Sequence, residues 1–149
     1  MLAEALLDHG YSAYRARLKV LLDIPESAGS FEIHLRISCG FSAARLMKLA
    51  DEGVVSPQAR EQIIPLRTLK NRITRNQPLT IEESDRLFRT VHITAMAEAI
   101  FGDADKARRW LFKPKKRLSG MMPINLLTTL QGTSQAEEML LQISEGFVL

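Results

Sequence analysis

The chain has 149 residues, 46% hydrophobic and 25% charged, which is enough to bury a core in one domain or two small ones and too apolar for a disordered polymer. A net charge of +3 and a pI near 9.2 permit nucleic-acid binding without requiring it, so local charge has to decide. With Cys39 as its single cysteine, the chain excludes an internal disulfide and a cysteine-based metal site.

The start, Met1 to Leu7, is mildly apolar but is broken by Glu4 and followed by Asp8, which is not a signal peptide. No apolar run approaches a membrane span, so a cytoplasmic protein with no membrane partner is expected. Residue types favour helix throughout: Ala, Leu, Glu, Arg and Lys abound, and nothing alternates in the manner of a strand. The expected class is all-α.

Residues 11–22 place Tyr14, Leu18, Leu21 and Leu22 at helical spacing, ending near Pro25, and Glu26 to Ser30 reads as a linker. Ser42 to Glu52 is a second helix, with Ser42 at its N-cap, Ala43, Leu46, Met47 and Ala50 on its inner face, and Gly53 as its stop. Ser56-Pro57 opens a third, closed by Pro65. A fourth runs from Leu66 to about Asn76, with Leu66, Leu69 and Ile73 on one side. Thr80-Ile81-Glu82-Glu83 is a capping-box pattern opening the longest helix, which continues to Gly102.

That long helix carries two apolar stripes, one of Phe88, Val91, Ala95 and Ala99 and one of Ile93, Met96, Ala97 and Ile100. A helix buried on two sides joins two packed bodies, so a boundary is placed within it. The expected division is an N-terminal helical segment of open role (1–30), a middle domain (31–84), read below as a helix-turn-helix, and a C-terminal domain (85–149). Three shorter helices, near 104–112, 123–129 and 134–145, complete the chain. The last shows Ala136, Met139, Leu140 and Ile143 on one face.

Charge is concentrated in two places. Between Arg60 and Asn76 stand Arg60, Arg67, Lys70, Arg72 and Arg75 against Glu61 alone. If Leu69 and Ile73 pack inward, then Arg67, Lys70, Asn71 and Thr74 face outward, as hydrogen-bonding and cationic groups must in order to read bases and hold phosphates. The spacing fits a helix-turn-helix, with Ala59 where the helices approach, Ile64-Pro65 at the turn and Leu69 as the anchor. It departs from that pattern in having Ile63 where a turn glycine is common and Arg72 where an apolar residue is common. A plain basic face in a helical bundle fits the spacing as well.

The second concentration, Lys106 to Arg117, has seven Lys or Arg and no acid, around Trp110, Leu111 and Phe112. Trp110 reads as core, while Lys113 to Leu118, a loop around Pro114, reads as exposed. The far end is acidic, with Glu137, Glu138 and Glu145, and closes on Gly146-Phe147-Val148-Leu149. Three apolar residues after a glycine stop either fold back on the core or enter a partner. His9, His34 and His92 are scattered without ligand or triad spacing. No enzyme activity, metal or cofactor is expected.

The C-terminal half resembles the toxin-binding domain of the Xre/MbcA/ParS antitoxins, partners of RES-domain toxins. The likeness is carried by Ser84-Asp85-Arg86-Leu87, Arg89, Ala97, Ile100-Phe101-Gly102-Asp103, Ala107, Trp110-Leu111 and Lys113-Pro114. It continues through Leu118, Gly120, Pro123, Leu126-Leu127, Thr129, Gly132, Leu140, Ile143 and Gly146. Upstream, Ile64-Pro65, Thr68-Leu69 and Arg72 look like the helix-turn-helix of the same family. The likeness spans roughly Gly40 to Gly146 and leaves the first 30 or so residues uncovered.

What the resemblance implies is an antitoxin that covers the active site of an NAD-consuming RES toxin and represses its own operon. The implied DNA contacts are Arg67, Thr68, Lys70, Asn71, Arg72, Thr74 and Arg75. The implied toxin contacts are Lys113, Lys115, Lys116, Arg117, Gly146, Phe147, Val148 and Leu149. Operator binding by so small a unit implies a homodimer on two half-sites. Two other readings stay open at this point. One is a transcription regulator without a toxin, its C-terminal half serving dimerisation; the other is a structural interaction module.

Overall fold

A computed structural model describes Leu6 and residues 8–146, which form helices and, among the described residues, no strand. The α-helices are α1 (Asp8–Leu22), α2 (Ser30–Cys39), α3 (Ala43–Asp51), α4 (Pro57–Ile63), α5 (Leu66–Thr74), α6 (Ile81–Phe101), α7 (Ala104–Leu111) and α8 (Leu130–Ser144). Short 3-10 turns at Lys116–Leu118 and Pro123–Thr128 lie between α7 and α8. The all-α class holds, and the short helix expected near 123–129 is a 3-10 helix, Pro123–Thr128.

α6 is the axis of the fold. Thr80 accepts from the Glu83 backbone N–H and Glu83 accepts from that of Thr80, closing the capping box read from the sequence. From Glu83 to Ala97 nearly every side chain is buried, because α1, α2, α4, α7 and α8 all pack on this helix. Both apolar stripes are therefore covered. The buried residues form one contiguous core running from Tyr14 on α1 to Leu140 on α8.

The N-terminal segment contributes to that core. Tyr14, Leu18, Leu21 and Leu22 are buried as their spacing implied, and α1 lies along α6. The buried guanidinium of Arg15 donates to the carbonyls of Pro25 and Ala28 and so folds the following turn back on α1.

The expected linker is shorter than read, since Ser30 already begins α2. This helix escaped the sequence reading for a physical reason. It buries only Ile33 and leaves Phe31 and Leu35 exposed, at 73% and 45%, so it lacks the apolar stripe by which a helix is read. α8 likewise starts four residues earlier than expected, at Leu130. Thr129 caps it by accepting from the Gly132 N–H.

Candidate functional site

The α4–α5 pair is built by short-range chemistry. Ser56 caps α4 by accepting from the Ala59 N–H, and Pro57 fills the first helical position, where no N–H is needed. Ile64 and Pro65 are both extended, which stops α4 and starts α5 within two residues. Ala59 and Leu69, the expected close-approach and anchor residues, are both buried.

Two arginines fix this pair to its surroundings. Arg86 on α6 donates from Nε (3.1 Å) and Nη2 (2.9 Å) to the Ile63 carbonyl, at the end of α4. Arg72 on α5 donates to Glu83 Oε1 at 2.5 Å. Burial alone would raise the Glu83 pKa. The Thr80 N–H and the Arg72 guanidinium outweigh that and hold it below the ordinary carboxylate value.

Arg72 therefore leaves the expected DNA-facing set: its guanidinium is turned inward onto a carboxylate. Ile73 and Leu66 depart in the opposite direction. Ile73 was read as inward and Leu66 as lying on the same side, and both are exposed; Leu69 is the one α5 side chain that is buried. Arg67, Lys70, Asn71, Thr74 and Arg75 are exposed and Thr68 is half-buried. Thr74 donates its hydroxyl to the Lys70 carbonyl. Among the described residues, Arg67, Lys70 and Arg75 form no ion pair, so three cations on or beside one nine-residue helix are open to solvent. Arg60, by contrast, is tied to Glu61 and to the Ile64 carbonyl.

The second basic region has a built interior. Trp110 is core, as read, and its indole N–H finds no acceptor among the described residues. Lys115 lies half-buried with its ammonium 5.7 Å from the centre of the Trp110 ring. Burial and the neighbouring Lys113 lower its pKa. Its backbone gathers the loop, accepting from Leu118 and Gly120 and donating to Met121. Arg117 donates to Gln142 Oε1 at 2.7 Å and ties the loop to α8. Lys113, Lys116 and Arg117 are exposed.

Gly146 is exposed with φ +99°, a left-handed stop after α8. Phe147, Val148 and Leu149, which the sequence reading gave to the toxin, lie outside the described residues.

Sequence reasoning missed the buried polar residues. Tyr14 lies 2.6 Å from His92 Nδ1, and Glu137 lies 3.1 Å from His92 Nε2, joining α1, α6 and α8 through one ring. Phe88 stacks on that ring at 5.7 Å. His92 is thus a packed histidine, and its partners come from 78 and 45 residues away. No local spacing could reveal them.

Over its whole length the chain is 66% identical to an Antitoxin Xre of Pseudomonas putida, covering 94% of that protein. The chain belongs to the Xre antitoxin family. Residues 96–146 match the family described as Antitoxin Xre/MbcA/ParS C-terminal toxin-binding domain. In this antitoxin that stretch runs from the C-terminal part of α6 through α7, the Lys115 loop and α8 to the Gly146 stop.

More distant relatives cover about half of the antitoxin. An Antitoxin Xre of Yersinia enterocolitica is 34% identical over 56% of the chain and 57% of its own length. A Prs ADP-ribosylating antitoxin of Sphingobium is 27% identical over 53% of the chain and 55% of its own length.

Proposed function

We propose that this antitoxin neutralises a RES-domain toxin by covering the site at which the toxin consumes NAD, and that it represses its own operon by binding operator DNA as a homodimer. The observation that carries the reading is the toxin-binding match over residues 96–146, set within a chain that resembles an Xre antitoxin from end to end. The name of the Sphingobium relative joins an antitoxin with ADP-ribosylation, a reaction that uses NAD, which accords with a toxin of that class.

Inhibition by coverage needs a complementary patch and a protruding element. The exposed Lys113, Lys116 and Arg117 supply charge, with Lys115 as the internal brace of their loop. Gly146, Phe147, Val148 and Leu149 are the apolar element that enters the toxin. No chemistry by the antitoxin is required, and a cytoplasmic location suits both partners. Among the described residues no helix is long and apolar enough to cross a membrane.

Operator binding is assigned to the α4–α5 pair as a helix-turn-helix, with Arg67, Thr68, Lys70, Asn71, Thr74 and Arg75 toward DNA. Phe31 and Leu35, one turn apart on α2 and both exposed, supply apolar surface for a second copy. Co-expression with the product of the neighbouring gene tests the reading. Rescue of growth and co-purification are expected; a neighbour that is neither toxic alone nor captured overturns it.

A further inference from the structure

A cavity of about 190 Å³ lies where the loop entering α4 meets α6 and α7. One wall is a row on α6, Thr90, Thr94 and Glu98, at four-residue spacing on a single helix face. This row is polar within a helix whose neighbouring positions Val91, Ala95 and Ala97 are buried and apolar.

The hydrogen bonding of that row is one-sided. Thr90 donates its hydroxyl to the Arg86 carbonyl at 3.0 Å, and Thr94 donates to that of Thr90 at 2.7 Å. With those hydrogens engaged, both hydroxyls can only accept. Glu98 takes Arg17 Nε on Oε2 at 2.6 Å, which leaves Oε1 open among the described residues. Apolar lining comes from Val54, Ala59, Leu111 and Ile124, and Arg17, Glu52 and Ser56 also border the cavity. At the rim Arg108 is held by the Gly53 carbonyl at 3.3 Å.

We propose that this cavity binds a small, ring-sized molecule ending in an N–H-rich group, such as an amidine or a primary amide. The size fits, since cavities of about 150 Å³ accept a benzene ring. The chemistry fits as well. Two hydroxyl acceptors and one free carboxylate oxygen on the α6 row reward a donor, whereas a ligand carboxylate would lose its water and meet acceptors along that row, the lining guanidiniums of Arg17 and Arg108 being already engaged by Glu98 and by the Gly53 carbonyl. The site stands independently of the toxin and of DNA.

The test titrates the ¹⁵N-labelled full chain with benzamidine and, separately, with benzoate, the same ring bearing the opposite hydrogen-bonding group. Benzamidine is expected to shift the amides of Gly53, Thr94, Glu98 and Ala107 in a saturable way, with benzoate at least about tenfold weaker. Thr94→Val keeps the shape, removes an acceptor and should weaken benzamidine about three- to tenfold. Ala104→Phe, at the exposed rim of the cavity, should block entry without disturbing the core. No saturable shift with either probe would mean a water-filled void and would overturn the proposal. Equal affinity for the two probes, or binding unchanged in both variants, would also overturn it.

Discussion

Arg86 grips the Ile63 carbonyl with two nitrogens of one guanidinium. A side chain on the central helix thus satisfies the last carbonyl of α4 at the turn into α5. With the Arg72–Glu83 pair and the buried Ala59 and Ile63 of α4, this bond helps to place the α4–α5 pair, since α5 itself buries only Leu69. Arg86→Met should leave that carbonyl short of a partner and cost about 1–2 kcal/mol. Urea denaturation measures the loss. Gel shifts should show operator affinity falling more than toxin capture, and equal losses would place the role of Arg86 in general stability.

Arg67 and Lys70 are exposed and free of ion pairs among the described residues. Reversing both to Glu should abolish operator binding while toxin capture persists. Neutralising either one should flatten the salt dependence of binding by about one unit of log–log slope for each phosphate that is no longer neutralised. Affinity that survives the double reversal at moderate salt would exclude α5 as the reading helix.

The Arg72–Glu83 pair gives a pH signature. The folded Glu83 pKa lies below its ordinary value. Its contribution to stability is therefore complete above the ordinary carboxylate range, near pH 4.3, and is lost as pH falls from there through the depressed folded value. Glu83→Gln keeps a side chain able to accept from the Thr80 N–H but removes the charge. It should lower stability at pH 7 by about 1–3 kcal/mol and make the acid limb shallower. Denaturation midpoints from pH 7 to 3 decide the matter; parallel curves for the two proteins would refute it.

Gly132 sits where a Cβ would lie 2.0 Å from the Leu126 carbonyl oxygen. Both groups are backbone, so neither yields easily. Gly132→Ala should destabilise the chain by about 2 kcal/mol or more, an overpacking effect, and should reduce toxin capture because α8 and the 123–128 turn must separate. An unchanged melting temperature would contradict the packing argument.

Removing Phe147 to Leu149 should weaken toxin inhibition while the helix content and melting temperature of the remainder stay the same. The described core closes on Met139, Leu140 and Ile143 before the Gly146 stop. Full protection of cells by the truncated chain would move the inhibitory surface to the Lys113–Arg117 loop.

Much of this fold could be read along the chain because its determinants are local. Ser42, Ser56, Thr80 and Asp103 cap helices three or fewer residues away, and Pro57, Pro65 and Gly102 act where they stand. Leu18, Leu69 and Trp110 belong to the core because apolar spacing and size demand burial. The exposed cations of α5 followed from the same periodicity, those of the Lys115 loop from the break at Pro114, and the ordered series ending at Gly146 pointed to the family.

Only the tertiary structure decided the rest, since it depends on residues that are distant in sequence. It turned Arg72 toward Glu83 and set Arg86 on Ile63. It buried His92 between Tyr14 and Glu137, and it left Ile73 and Phe31 outside. An apolar or charged side chain carries its own transfer energy in the sequence, but its partner exists only after the helices have packed.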